Sequence, residues 1–274
     1  PAGQIILVDD PADGIVPARV QSRSTDDITI WPAMSGAGTI GDEVINTYTW
    51  YPTTSNTRSL AVALAAVGVS TLQWQWLGGT GDLELVFDRA QLAQCKVSGK
   101  FASWTGPSNL SLSTAVVADP MAAPLAVRNA KLFLQASSTT TRTCYLVDSL
   151  KITIKLGMTH LETLTCGTEG RRGTFRADGL TEAFAELDFE VPIDTALDTF
   201  WSEKTELSAM FCVPADTATG RRYITADAPR CVIVDKPALK KGPGNLASYA
   251  FKLRCMLDDL TSDTAELGTA PFRL

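Results

Sequence analysis

Apolar and polar residues alternate along much of this chain. The clearest examples are the segments 82–88, 95–101, 150–156, 183–191 and 249–255, where an apolar residue occupies every second position in phase. Side chains on a β-strand point alternately to opposite faces, so this period predicts strands with one buried and one solvated face. The pattern therefore predicts a mainly β protein built from antiparallel sheet.

One segment follows a different period. "PIDTALDTFWSEKT", which begins at Pro192, places Leu197, Phe200 and Trp201 at helical spacing. Asp194 precedes this run as an N-cap residue, and a second acidic residue follows in about the first turn. The segment predicts a short flanking α-helix near 194–204, whose aromatic residues seal a sheet edge rather than bind a ligand.

The organisation along the chain suggests three parts. Residues 1–58, interrupted by prolines, predict an irregular N-terminal arm or covering segment. Residues 59–118 and 119–274 predict a first and a second β half, with the helix in the second. The two halves repeat a similar succession of strands, which is explained either by ancestral duplication or by one continuous unit.

Composition limits the kinds of partner. The 274 residues carry a net charge of −6, and the pI is about 4.9. Binding through many phosphate contacts needs concentrated Lys and Arg, so the acidic balance argues against a nucleic-acid-binding groove. The same charge would also keep an abundant particle component soluble.

The six cysteines are scattered singly, without a metal-binding spacing. We predict reduced, mostly buried thiols, with Cys95 and Cys255 in phase with core residues. The chain predicts no metal site and no cofactor. It contains no apolar run long enough for a bilayer, and its first residues do not resemble a signal peptide, so we expect synthesis in a cytosol and no membrane partner.

No combination of residues predicts catalysis. His160 is the single histidine, and no activated serine or cysteine lies beside it in a known motif. The glycines at 36, 38 and 41 match a dinucleotide-binding spacing, but a β-rich segment follows instead of the helix that would hold phosphates. The acidic residues between Glu182 and Glu190 predict a solvated or lumen-facing stripe rather than a hydrolase pair.

Two blocks carry a family resemblance. "LGGTGDLELVFDRAQLAQCKVSGKFASWTG", residues 77–106, resembles the glycine-led strand pair of the major tail tube proteins of long-tailed (siphovirus-type) bacteriophages. The second half is similar too, with "SLKITIKLG" at Ser149, an acidic strand, a short helix and a final alternating strand. The likeness covers most of the chain beyond Ser59 and implies a β-sandwich or partial barrel with a flanking helix, with or without duplication.

The resemblance implies a structural virion protein rather than an enzyme. Copies would join sheet edges into rings of six, or of three if duplicated, and the rings would stack into the tail tube through which the genome is ejected. Implied partners are the tail terminator, tape measure and distal tail proteins, and double-stranded DNA that crosses the lumen without specific binding. Assembly would occur in the host bacterial cytoplasm, and the final location would be the virion.

The resemblance also suggests surfaces. The candidate acidic lumen face consists of Glu182, Glu186, Asp188 and Glu190, with Asp82 and Glu84 as second candidates. The candidate inter-ring loop consists of Ser137, Ser138, Thr139, Thr140, Thr141 and Arg142. Two alternatives stay open: another tail component, such as a terminator, baseplate hub or injection-apparatus tube protein, and a β-sandwich hydrolase that acts on sugar or peptide.

Overall fold

The structure of the protein is a computed structural model. It describes residues 1–10, 14–24, 27–34, 44–51, 60–66, 72–101, 103–108, 127–139, 142–155, 158–162, 171–176, 185–214, 223–241, 246–258, 270 and 272–274.

The N-terminal region folds as a small antiparallel sheet in the order β3-β2-β1-β4. Its strands are β1 (Ile5–Asp10), β2 (Gly14–Arg23), β3 (Ile28–Trp31) and β4 (Val44–Asn46). This region is more regular than the arm that the sequence predicted. The physical reason is that β1 is almost entirely buried, so residues 5–8 form a continuous apolar run rather than an alternation.

The next four strands are arranged around one long strand. They are β5 (Leu60–Ala66), β6 (Leu72–Asp88), β7 (Gln94–Lys100) and β8 (Ser103–Ser108). The first part of β6 pairs with β5 and β8, and its last part pairs with β7. A single strand of 17 residues therefore connects two parts of the sheet.

The described residues beyond β8 add ten strands and one helix. They are β9 (Lys131–Ala136), β10 (Thr143–Leu146), β11 (Ser149–Ile154), β12 (Met158–Glu162), β13 (Arg171–Arg176), β14 (Ala185–Pro192), α1 (Thr195–Ser202), β15 (Leu207–Pro214), β16 (Tyr223–Ile233), β17 (Ala238–Lys241) and β18 (Ala247–Met256).

The strands of both predicted halves form one large antiparallel sheet. Its order is β10-β9-β15-β16-β18-β14-β11-β6-β5, while β7 and β8 also pair with β6 and β17 pairs with β18. Strands β12 and β13 pair separately with each other. The prediction of a mainly β protein is confirmed, and β6 of the first half is hydrogen-bonded to β11 of the second.

The large sheet folds back on itself around one core. Phe87 on β6 contacts Phe211 on β15 with ring centroids 5.4 Å apart, although four strands separate them in the sheet. Phe189 bridges the same space, since its ring lies 6.1 Å from Phe211 and 5.6 Å from Phe251. Strands from both predicted halves thus bury their apolar faces against each other.

A second core lies between the N-terminal sheet and the outer face of β9 and β15. Phe133, Met210 and Cys212 point to this side and pack with Val8 and Trp31. Strand β15 is consequently buried on both faces. The N-terminal sheet therefore packs against the outer face of β9 and β15.

A buried ionic network connects the N-terminal sheet to the body. The two Asp227 carboxylate oxygens lie 2.8 Å from the Arg19 guanidinium and 3.2 Å from that of Arg273. Arg273 also lies 2.8 Å from the Asp258 carboxylate, and the Arg19 guanidinium lies over the Trp31 ring. Since Asp227 and Arg273 are fully buried, each charge depends on its partner for solvation.

The predicted helix is confirmed. It spans Thr195–Ser202, and the Asp194 side chain accepts a hydrogen bond from the Ala196 N–H at 2.9 Å. Leu197 is buried, and Phe200 and Trp201 pack partly buried against the large core, which agrees with the packing role predicted for them.

The prediction for the cysteines is correct for Cys255 and wrong for Cys95. Cys255 is fully buried, whereas Cys95 is exposed on β7. Alternation gives the phase of a side chain but not its depth, and residues 94–99 of β7 are exposed on both faces because the strand lies beyond the core. Cys144 is exposed as well.

Candidate functional site: the charged face and its two edges

Six adjacent strands share one outer surface. In spatial order they are β17, β18, β14, β11, β6 and β7, and their core-side residues include Phe251, Phe189, Ile152 and Leu85. The opposite surface, called the charged face here, carries ionisable residues on every strand. They are Asp82, Glu84, Lys96, Lys151, Glu186, Asp188, Glu190, Lys240, Lys252 and Arg254.

The structure brings together nearly all of the acidic residues predicted for a lumen face. Glu186, Asp188 and Glu190 follow one another along β14, and Asp82 and Glu84 occupy the same face of β6. The β6 and β14 strands are separated by β11 alone. Glu182 lies outside the described residues. Acidic residues that are about a hundred positions apart in sequence therefore form one surface.

Lysines from two neighbouring strands surround Glu84. The Glu84 carboxylate lies 2.8 Å from Lys151 Nζ on β11 and 3.1 Å from Lys96 Nζ on β7. Hydrogen bonds from Lys151 and then Lys96 hold the pKa of Glu84 below its ordinary value. The hydrogen bond to Glu84 likewise raises the pKa of Lys151. Both groups stay charged at neutral pH.

The β14 carboxylates have basic neighbours on β18. Lys252 Nζ lies 3.7 Å from both Glu186 and Asp188, and Arg254 lies 3.7 Å from Glu186. Glu190 instead accepts a hydrogen bond of 2.7 Å from the Ser248 hydroxyl. The surface is therefore a ladder of opposite charges, in which Glu84, Glu186 and Asp188 have basic neighbours.

The sequence predicts that the basic residues of the charged face are exposed, but it does not predict that they lie beside the acidic ones. Lys151, Lys252 and Arg254 each occupy the exposed phase of an alternating strand. Their positions beside Glu186 and Asp188 follow from the strand order β11-β14-β18, which the sequence pattern does not give. The signal in the sequence is that the exposed phases of different strands carry opposite charges, which form cross-strand pairs when the strands are neighbours.

The charged face contains a shallow groove beside β17. Its volume is about 440 Å³, and the charged side chains around it include Lys151, Asp188, Asp235, Lys236 and Lys240. Carboxylates and ammonium groups both line the groove, so its described side chains do not concentrate one sign of charge that would bind a phosphate or a cation.

The two outer strands of the row expose apolar side chains. Val97 on β7 is 62% exposed and Leu239 on β17 is 68% exposed. Val97 pairs with Leu83, and Leu239 pairs with Tyr249, so both point to the core side of the sheet. In the described part of the chain, β7 pairs with β6 alone and β17 with β18 alone. Each strand thus presents a hydrogen-bonding edge beside an apolar residue.

The directions of the edge strands are compatible with each other. Every neighbouring pair in the row from β17 to β7 is antiparallel, so β17 and β7 run in opposite directions. If two copies with the same orientation met edge to edge, β7 of one copy would lie antiparallel to β17 of the next.

The candidate inter-ring loop lies at the turn between β9 and β10. Ser137, Ser138 and Thr139 are exposed, and Thr140 and Thr141 lie outside the described residues. Arg142 differs from the others because its guanidinium lies 3.2 Å from the buried Asp10 carboxylate and 5.0 Å from the centre of the Phe133 ring. Arg142 therefore anchors the turn to the N-terminal sheet.

Other kinds of site have less support within the described residues. His160 lies on β12, where it pairs with Thr174 of β13. The described residues contain no group of three or more potential metal ligands, and they include no helix with the length and hydrophobicity of a bilayer span.

No family model matches the chain, and no curated protein is similar enough in sequence to be called related.

Proposed function

We propose that the chain is a structural virion protein of the tail tube type, which assembles into stacked rings that form the conduit for genome ejection. The observation that carries the proposal is the position of β7 and β17 at opposite edges of one six-stranded row. Such edges promote aggregation in a free monomer and become assembly surfaces when neighbouring copies pair them.

The proposed contact repeats from one copy to the next. Strand β7 of one subunit pairs with β17 of its neighbour, which continues the antiparallel sheet across the boundary. The contact also covers Val97 and Leu239, which are largely exposed in the monomer and lie on the same side of the sheet. Because the two surfaces differ, the contact is head-to-tail and generates a ring where the rotation closes.

The charged face is the proposed lining of the lumen. In a ring made by this row, the core of each subunit lies on one side of the sheet and the charged face on the other. The side chains of Lys151 and Lys252 already lie near carboxylates, which makes them less available to DNA phosphates. Duplex DNA therefore crosses without the multiple phosphate contacts that would retain it.

The specific β-sandwich or partial barrel of tail tube proteins is part of the same proposal. A sheet folded back around one core, with a short helix packed against it, supports this fold. Strands of both halves share that core, which favours one continuous unit and hence six copies per ring rather than three.

Electron microscopy of the purified chain over a concentration series tests the proposal. We expect rings or tubes with a lumen about as wide as duplex DNA. Val97→Lys should raise the concentration needed for assembly at least about tenfold, because it places a charge in the proposed contact. Leu146→Lys is the matched control, since Leu146 is 64% exposed on β10 at another edge of the sheet.

The outcomes separate the alternatives. Assembly of the wild type and of Leu146→Lys, with loss of assembly in Val97→Lys, supports the proposed contact. Single rings that never stack would favour a terminator or another minor tail component. A monomer at every concentration, or equal assembly of all three proteins, contradicts the β7–β17 contact.

A further inference from the structure

Two buried cysteines face each other where the two parts of the large sheet meet. Cys231 on β16 and Cys255 on β18 are direct cross-strand partners, and neither is accessible to solvent. Both are free thiols in the structure. The Cys231 thiol is near enough to the Leu207 carbonyl, at 3.3 Å, to donate a hydrogen bond to it.

The hydrogen-bond pattern shows which type of cross-strand pair the two cysteines form. The Val234 N–H donates to the Lys252 carbonyl at 3.0 Å, so Val234 and Lys252 form a hydrogen-bonded pair. Hydrogen-bonded and non-hydrogen-bonded pairs alternate along antiparallel strands. Three positions further along, Cys231 and Cys255 are therefore a non-hydrogen-bonded pair.

A non-hydrogen-bonded pair has a suitable Cα–Cα distance for a disulfide. The Cα atoms of a non-hydrogen-bonded pair are about 4.5 Å apart, which lies within the range of roughly 4.4–6.8 Å that disulfides require. Both side chains belong to the same hydrophobic core cluster and thus point to the same side of the sheet. The register therefore brings the two cysteines to a separation that a disulfide can bridge.

The location gives the bond a structural consequence. The ladder between β16 and β18 runs from Arg230 to Ile233 against Leu253 to Met256, with one further hydrogen bond from the Val234 N–H to the Lys252 carbonyl. This short ladder joins the part of the sheet with β10, β9, β15 and β16 to the part with β18, β14, β11 and β6. A covalent link at Cys231 and Cys255 would fasten the junction between the two parts.

We propose that Cys231 and Cys255 form a cross-strand disulfide when the chain folds in the presence of a disulfide oxidant, such as oxidised glutathione. One cysteine thiolate attacks the oxidant and releases one glutathione thiol, and the second cysteine thiolate then displaces the other. The protein loses two electrons and two protons, and the oxidant is reduced to two thiols. This proposal is independent of the proposed function.

Burial determines when the reaction occurs. Desolvation raises the pKa of both thiols far above the ordinary range, so the folded protein contains very little reactive thiolate at these positions. The core also has no access for glutathione. The bond therefore forms during folding, and once formed it is protected from reductants.

Refolding under two redox conditions tests the proposal on the full-length chain. One sample is refolded with a mixture of oxidised and reduced glutathione, and the other with a reductant, and both are then alkylated and digested with trypsin without reduction. Cleavage after Arg230, Lys240, Arg254 and Arg273 gives peptides 231–240 and 255–273. We expect these two peptides to be linked to each other in the oxidised sample alone.

Thermal unfolding provides a second measurement. The bond closes a loop of intermediate length, so we expect the midpoint of the oxidised protein to be higher by about 10 °C. Cys95→Ser/Cys144→Ser is the matched control, because it removes two exposed thiols and should keep the full shift. Cys231→Ser/Cys255→Ser should lose it.

Three results would contradict the proposed disulfide between Cys231 and Cys255. Free alkylated Cys231 and Cys255 in the oxidised sample, or links from either residue to other cysteines, would contradict the proposal. So would a thermal shift that disappears in Cys95→Ser/Cys144→Ser. Because the decisive comparison uses the wild-type chain in both samples, it stands even if the double variant at 231 and 255 does not fold.

Discussion

At the scale of single residues, the buried carboxylate of Asp227 is important for the stability of the fold. Its carboxylate lies between two arginines from distant parts of the chain, Arg19 and Arg273, and it is fully buried. Its backbone also exchanges hydrogen bonds with that of Arg273. The residue therefore links the N-terminal sheet, β16 and the segment 272–274.

We expect Asp227→Asn to destabilise the protein by about 3–5 kcal/mol, because two buried guanidinium groups lose their shared counter-charge. Urea unfolding of the wild type and the variant measures the difference. Arg89→Gln is the control: Arg89 also pairs with an aspartate, at 3.0 Å, but is 66% exposed, so its loss should cost at most about 1 kcal/mol. Similar costs for both variants would show that the network is unimportant.

The Arg230–Glu206 pair gives a prediction for pH. Hydrogen bonds from Arg230 lower the pKa of Glu206 below its ordinary value of 4.5, while partial burial acts in the opposite direction. The folded-state pKa is thus below the unfolded-state pKa. The resulting stabilisation is fully present above about pH 4.5 and is lost as the pH falls through the folded-state pKa.

Glu206→Gln should therefore be less stable than the wild type near neutral pH, by up to about 1 kcal/mol because the pair is about one third exposed. The difference should shrink near pH 3. Urea unfolding at the two pH values measures it. A difference that grows in acid would mean that the sign of the pKa shift is wrong.

At the scale of elements, the sequence predicts strands well where one face is exposed to solvent and less well where both faces are buried. The strands around Leu85, Ile152, Phe189 and Phe251 were found by their two-residue period, and the structure confirms them. Strand β1 was missed because it has no solvated phase. The sequence also could not show that Asp227 is buried, since its partners come from distant segments.

The helix was predictable because its signals are local. Asp194 caps it and also accepts a hydrogen bond of 2.6 Å from the Tyr145 hydroxyl. We expect Asp194→Ala to destabilise the protein by about 1–2 kcal/mol, measured by chemical denaturation. Asp194→Asn keeps a capping side chain and should retain most of the stability. Equal losses in both variants would mean that the carboxylate charge matters more than the cap.

At the scale of the whole molecule, the sequence predicts only part of the charged face. The alternation predicts that Glu84, Glu186 and Lys252 are exposed, but their proximity depends on the strand order. The predicted acidic stripe therefore became a ladder of paired charges. The same strand order places β7 and β17 at opposite edges, and the proposed ring rests on that relation.

Cross-linking between subunits tests this relation most directly. Cys95 on β7 is exposed and points to the core side, as Leu239 and Lys241 on β17 do. Leu239→Cys and Lys241→Cys, each made in a Cys144→Ser background, sample two registers of the proposed pairing. Ala238→Cys, on the opposite face of β17, and Cys95→Ser are the controls.

Assembled samples are oxidised and examined on non-reducing gels. We predict a ladder of covalent oligomers with Leu239→Cys or Lys241→Cys, far less with Ala238→Cys, and none once Cys95 is replaced by serine. Rings that form without such a ladder in either variant, or a ladder that persists without Cys95, would contradict the pairing of β7 with β17.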